Sequence, residues 1–151
     1  MRTLDHATMA RDGICPMCMN LEFGFSLSDH GADHTFYRND QFTAMIIHDP
    51  RTPGHAVIAS NEHYKDMMDA PEDLVGEMFT FAHRAMRALR QVYGAESVYL
   101  SSTCDGPLSH FKIQLLPRYA GEERGPRNFV RPRIAYVHDE AKLERLREML
   151  G

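Results

Sequence analysis

Between Pro71 and Gly94 the chain carries one long amphipathic pattern, and that pattern constrains everything around it. Leu74, Met78, Ala82, Ala85, Met86, Leu89 and Val92 recur at the spacing that lines one face of an α-helix. Pro71 suits a first helical position, where its missing N–H costs nothing. Glu72 and Asp73 complement the positive end of the helix dipole, and Gly94 suits the left-handed residue that closes a helix. A helix with one apolar face needs a second layer to pack on. With 151 residues the chain supports one core, so that layer must come from the short apolar runs on either side.

Those runs read as strands. Phe42 to His48 (FTAMIIH) is apolar and bounded by turn residues, and His55 to Ser60 (HAVIAS) returns after Asp49-Pro50-Arg51-Thr52-Pro53-Gly54. The short connection makes this pair antiparallel. Beyond the helix, Ser97 to Thr103 and Ser109 to Leu116 form a second pair, with Pro117 as the expected stop. Leu21 to Ser28 alternates weakly and reads as a short edge strand, and residues 29–35 read as a turn. Arg118 to Arg133 holds five arginines, two glutamates and two prolines and reads as an ordered loop. Leu143, Leu146 and Leu150 place a C-terminal helix over Asp139 to Leu150. The expected fold is α+β: one domain over residues 1–151, with an antiparallel sheet and both helices on one face.

Charge narrows the partners. Seventeen basic and 21 acidic residues give a formal net charge of -4, so no bulk attraction draws the chain to nucleic acid or an anionic membrane. The arginine-rich loop is the one feature favouring nucleic acid, and it is weak support. No apolar run approaches the roughly 20 residues that span a bilayer, and the N-terminus lacks a signal-peptide stretch. A cytoplasmic location is expected.

The strand from Ser109 alternates. Phe111, Ile113 and Leu115 face one way, and His110, Lys112 and Gln114 face the other. Periodicity alone accounts for this as a strand with one solvated face. The full stretch, His110-Phe111-Lys112-Ile113-Gln114-Leu115-Leu116-Pro117-Arg118, nevertheless resembles the motif of the histidine-triad (HIT) superfamily: three histidines alternating with apolar residues, then Pro-Arg. Tyr37-Arg38-Asn39-Asp40, Pro53-Gly54-His55-Ala56-Val57-Ile58 and Asn61-Glu62-His63 resemble the paired strands that precede the family's long helix. The resemblance spans residues 14–120. It implies a domain that handles nucleotide phosphates as a hydrolase or transferase, and a homodimer formed through the long helix and a sheet edge. It also implies a middle histidine that attacks the α-phosphorus.

Here the middle position is Lys112. The third is Gln114, as in the transferase branch related to galactose-1-phosphate uridylyltransferase. A free lysine amine has a pKa of about 10.4, so near neutral pH it holds a phosphate as a point charge and does not attack it. Burial or a neighbouring cation converts such an amine into a nucleophile. Arg118 and a zinc ion are the candidate sources of that field, and bound phosphate opposes it. A phosphate contact, a nucleophile and a structural lysine are therefore the three readings of Lys112.

Cys15-Pro16-Met17-Cys18 provides two soft donors at a spacing common in zinc sites, and equally at that of a redox pair or two buried thiols. The family resemblance implies a structural zinc completed by His63 and His110. His48 and His55 compete for the third place, and His30 and His34 are further alternatives. The resemblance also assigns Ser102, Thr103, Arg118 and Asn39 to substrate binding beside Lys112 and Gln114. Ordinary strand-end and turn bonding explains Ser101 to Thr103, Asn39 and Asp40 as well. Arg124, Arg127, Arg131 and Arg133 fit an anion-binding rim or a solvated loop, and Cys104 stands alone.

Overall fold

Three strands come from the first half of the chain: β1 (Thr35–Arg38), β2 (Phe42–Ile46) and β3 (Ala56–Ser60). Two follow the long helix, β4 (Ser97–Ser101) and β5 (Lys112–Arg118). In this computed structural model, which describes residues 6–23, 33–104, 106–128 and 130–151, they form one sheet ordered β1-β2-β3-β5-β4. Every neighbouring pair is antiparallel.

Turn chemistry sets the first hairpins. The Asn39 side-chain oxygen accepts the backbone N–H groups of Gln41 and Phe42, each at 2.8 Å, and so closes the β1–β2 turn. Gly54 lies in the β2–β3 connection at φ +80°, and a Cβ there would meet the Tyr93 ring at 3.0 Å. Backbone conformation and packing both require glycine at that position.

The long helix is α3 (Glu72–Tyr93), which buries Leu74, Met78, Phe81, Ala82, Ala85, Ala88, Leu89 and Val92. Pro71 caps it from outside rather than opening it, and Gly94 closes it at φ +70°. The C-terminal helix α4 (Glu140–Leu150) is capped by Asp139, whose side chain accepts the Lys142 N–H at 3.0 Å. Both helices share one core with alternate strand residues, including Phe42, Ala44, Ile58, Ile113 and Leu115. Each fully buried leucine or isoleucine contributes roughly 1.5–3 kcal/mol. The α+β architecture read from the sequence is the one observed.

Two local readings are corrected. Leu21 to Phe23 ends a helix, α2 (Pro16–Phe23), rather than starting a strand, and residues 24–28 lie outside the described residues. A further short helix, α1 (His6–Arg11), precedes it. Pro117 does not stop β5 but pairs with Val98 inside it. The pairing of β3 with β5 ends at Leu115, so Pro117 has a sheet neighbour on one side only and its missing N–H breaks no ladder bond there. Its carbonyl is bonded by the Thr52 hydroxyl at 3.1 Å. Among the described residues no helix is long and apolar enough to cross a membrane.

Candidate functional site

Because α3 and α4 occupy one face, the alternation along β5 turns His110, Lys112 and Gln114 to the other. Phe111 is 1% exposed, and Ile113 and Leu115 are fully buried on the helix side. Lys112 pairs with Ala59 of β3, and Gln114 lies between Val57 of β3 and Ser101 of β4.

At one end of this face four donor side chains converge: Cys15, Cys18, His63 and His110, with ligand atoms all within 4.8 Å of one another. Cys15 directly precedes α2, and the first helical turn brings the Cys18 N–H to the Cys15 sulfur at 3.4 Å. Cys18 Sγ lies 3.2 Å from His63 Nδ1 and 3.4 Å from His110 Nδ1. Cys15 Sγ lies 3.6 Å from His110 Nδ1, and the two imidazole Nδ1 atoms are 3.1 Å apart. Tetrahedral zinc, with bonds of about 2.0 Å to nitrogen and about 2.3 Å to sulfur, has ligand–ligand edges of roughly 3.3–3.8 Å. The four edges above, 3.1–3.6 Å, are close to that range.

The electrostatics fit a cation as well. His110 is buried, and its Nε2 donates to the Ser60 carbonyl at 2.6 Å, which leaves the Nδ1 lone pair directed at the cluster. Burial holds its pKa below the usual range. Burial, and then the adjoining Cys15, push the Cys18 thiol up to about 12. Two neighbouring thiols do not both ionise without a positive charge between them. The Cys2His2 donor set is therefore compatible with zinc.

The competing ligands are committed elsewhere. His48 stacks on His34 with ring centroids 3.4 Å apart. His55 is fully buried; its Nδ1 accepts the Arg51 N–H at 3.1 Å, and its Nε2 donates to the Gln114 side-chain oxygen at 2.8 Å. Burial lowers its pKa to about 4, so it is neutral at physiological pH. With the amide oxygen held by His55, Gln114 presents its NH2 group as a donor. His30 lies outside the described residues.

Lys112 is half-buried, and its ammonium lies 3.5 Å from the His110 carbonyl. The Ser102 hydroxyl donates to the Lys112 carbonyl at 2.7 Å and holds the strand ends together, and Thr103 is exposed. Arg118 is not brought to Lys112. Six residues of extended strand, at about 3.3 Å each, separate them by roughly 20 Å. Its guanidinium lies over the Tyr99 ring at 5.0 Å and pairs with Glu122 at 3.6 Å. There it lines a separate cavity of about 240 Å³ with Tyr99, Tyr119, Glu122 and Arg124. Asn39 is likewise spent, its oxygen closing the β1–β2 turn. The expectation that Arg118 and Asn39 join the phosphate site does not match this placement. The sequence weighed His55 as a zinc ligand; its part beside Gln114 becomes visible only when β3 is paired with β5.

The sequence matches the family model of the HIT domain over residues 30–110, more than half of the chain; Lys112 and Gln114 lie just beyond that span. It is 22% identical to an uncharacterized HIT-like protein of Saccharolobus solfataricus over 106 residues, covering 66% of this chain and 76% of that one. Its fold is similar to that of a hypothetical histidine triad nucleotide-binding protein from Sulfolobus tokodaii (TM-score 0.71, 16% identity, 90% of this chain and 91% of that chain). It is also similar to that of a zinc-bound histidine triad family protein from Mycobacterium smegmatis (TM-score 0.70, 20% identity, 90% and 92%).

Proposed function

The chain belongs to the HIT domain family, and on that premise we propose that it binds a nucleotide or another phosphate-bearing small molecule through Lys112 and Gln114. The observation that carries this reading is their side-by-side placement on the helix-free face, with His55 turning the Gln114 amide into a donor. An ammonium and an amide N–H together complement phosphoryl oxygens. Binding by a fixed charge is favoured over nucleophilic attack because, of the two cations invoked to activate a lysine, Arg118 lies roughly 20 Å away along the strand and is already paired with Glu122, while the charge of a zinc ion at His110 would be offset by the two cysteine thiolates that hold it. A nucleotidyl hydrolase or transferase that attacks through Lys112 is the second reading, supported by the likeness of Gln114 to the transferase branch.

We further propose zinc at Cys15, Cys18, His63 and His110, supported by the donor set and its edge lengths. With four protein ligands the ion has no open position, so its part is structural. It ties the N-terminal helices to the sheet and takes His110 out of the chemistry. A homodimer is part of the same reading, since β4 is the last strand of the sheet and leaves an edge for a second copy.

The deciding experiment is titration of the zinc-loaded protein with a panel of nucleoside phosphates, dinucleoside polyphosphates, nucleotide sugars and phosphoramidates, with product release and intact mass followed in parallel. Saturable binding that Lys112→Ala weakens, with no product, supports the binding reading. Lys112-dependent product with a nucleotidyl adduct on Lys112 replaces it with the enzyme reading. Absence of binding to every member rejects both.

A further inference from the structure

The row of residues that runs across the sheet from Lys112 leads to a second cation. Lys112 pairs with Ala59, Ala59 with Thr43, and Thr43 with Arg38 at the far edge. Three strand spacings separate the two basic residues, about 14 Å between Cα atoms. Both side chains lie on the helix-free face. Tyr37, the neighbour of Arg38, packs on the core rings of Phe42 and Phe81, so Arg38 points the other way.

Arg38 is held inward along this row. Its Nε donates to the Thr43 hydroxyl at 3.3 Å. That hydroxyl gives its own proton to the Asn61 side-chain oxygen at 2.7 Å, and the Asn61 NH2 group donates to the Asn39 carbonyl at 2.8 Å. The chain of bonds turns the guanidinium over β2 toward β3 and leaves its two terminal nitrogens without a hydrogen-bond partner among the described residues. Along the row, the small side chains of Thr43 and Ala59 stand between it and Lys112 in register.

Several of the basic residues are neutralised by acids. Arg118 and Arg131 share Glu122, Arg124 pairs with Glu96, Arg133 with Asp49, and Arg147 with Glu140 and Glu144. Among the described residues neither Arg38 nor Lys112 has an acidic partner. Two cations without acidic partners, on one face and separated in register by small side chains, suit a ligand with separated negative charges.

We propose that Arg38 is a second anion-binding residue of this site, so that the ligand it favours carries at least two linked phosphates. Lys112 and Gln114 hold one phosphate and the Arg38 guanidinium takes a later one in the same chain. This rests on the reading of Lys112 as a phosphate contact.

The test compares orthophosphate with inorganic tripolyphosphate, by calorimetry on the zinc-loaded protein at fixed ionic strength. Wild type is expected to bind tripolyphosphate at least about tenfold more tightly than orthophosphate. Arg38→Gln removes that gain and leaves orthophosphate affinity unchanged. Arg38→Lys, which keeps the charge, retains most of it, and Lys112→Gln weakens both ligands. An unchanged thermal midpoint in the Arg38 variants excludes misfolding as the cause. If Arg38→Gln leaves tripolyphosphate affinity intact, or weakens both anions equally, the two-point contact is wrong while Lys112-dependent binding still stands. If Lys112→Gln changes neither anion, or neither binds, the underlying reading falls and takes this one with it.

Discussion

His55 donates its Nε2 proton to the side-chain oxygen of Gln114 at 2.8 Å while its Nδ1 accepts the Arg51 N–H at 3.1 Å. Both ring nitrogens are therefore assigned, and the Gln114 amide has one orientation, NH2 outward. A glutamate at 114 would present only acceptors. Gln114→Glu is expected to weaken phosphate-ligand binding by about tenfold or more, because one charge-assisted contact becomes a repulsion. Calorimetry measures the loss, and nitrogen-15 spectra of the His55 ring report whether its neutral Nε2–H tautomer is present in wild type.

The same residue predicts a pH dependence of stability. Burial lowers the His55 pKa from 6.5 to about 4. Between those values the unfolded chain binds a proton that the folded chain does not. Stability is thus fully present above the unfolded pKa and declines as pH falls toward the folded one, by up to about 3 kcal/mol. Denaturant midpoints near pH 7 and near pH 4.5 should differ more for wild type than for His55→Gln. Equal differences would remove His55 as the cause.

Metal removal should act at a distance. Chelation is expected to lower the thermal midpoint, with a loss of about 2.7 kcal/mol if free zinc had stood at a hundred times its dissociation constant. Cys15 and Cys18 should then react with an alkylating reagent that labels exposed Cys104 before and after chelation alike. Replacing any of Cys15, Cys18, His63 or His110 should reduce zinc per chain from about one toward zero. His48→Ala and His55→Ala should leave it unchanged, and a loss of zinc in either would contradict the ligand assignment.

Two stability variants probe the frame that holds the site. Asp139→Ala removes the oxygen that caps α4 and should cost about 1 kcal/mol. Leu146 is fully buried between α4 and the sheet, so Leu146→Ala should cost roughly 2–5 kcal/mol. Urea unfolding with an unchanged slope measures both.

The elements that were legible in the sequence are those whose signal is local. The α3 pattern from Leu74 to Val92, the closing Gly94 and the alternation of His110, Lys112 and Gln114 each depend on neighbours a few residues away. The short helices α1 and α2 were not legible, because segments of six and eight residues show no convincing period. Pro117 misled for the opposite reason: proline is a strong local stop, but one side of β5 is unpaired at that position, so the ladder tolerates it.

By itself the sequence determined the period of the long helix, the C-terminal helix and the central strands, the main turns and the identity of the donors, since all of these follow from the backbone preferences and side-chain chemistry of adjacent residues. Which of those donors meet was decided by tertiary structure. Cys18 lies 45 residues from His63 and 92 from His110, and only the folding of α2 against the sheet brings them together. Strand register alone aligned Arg38 with Lys112 across three neighbours, joined His55 to Gln114, and left Arg118 far along β5. A one-residue slip in register turns every side chain of a strand to the other face; tight turns fix that alignment locally for β1, β2 and β3, but β3 and β5 are far apart in the chain and no local signal aligns them.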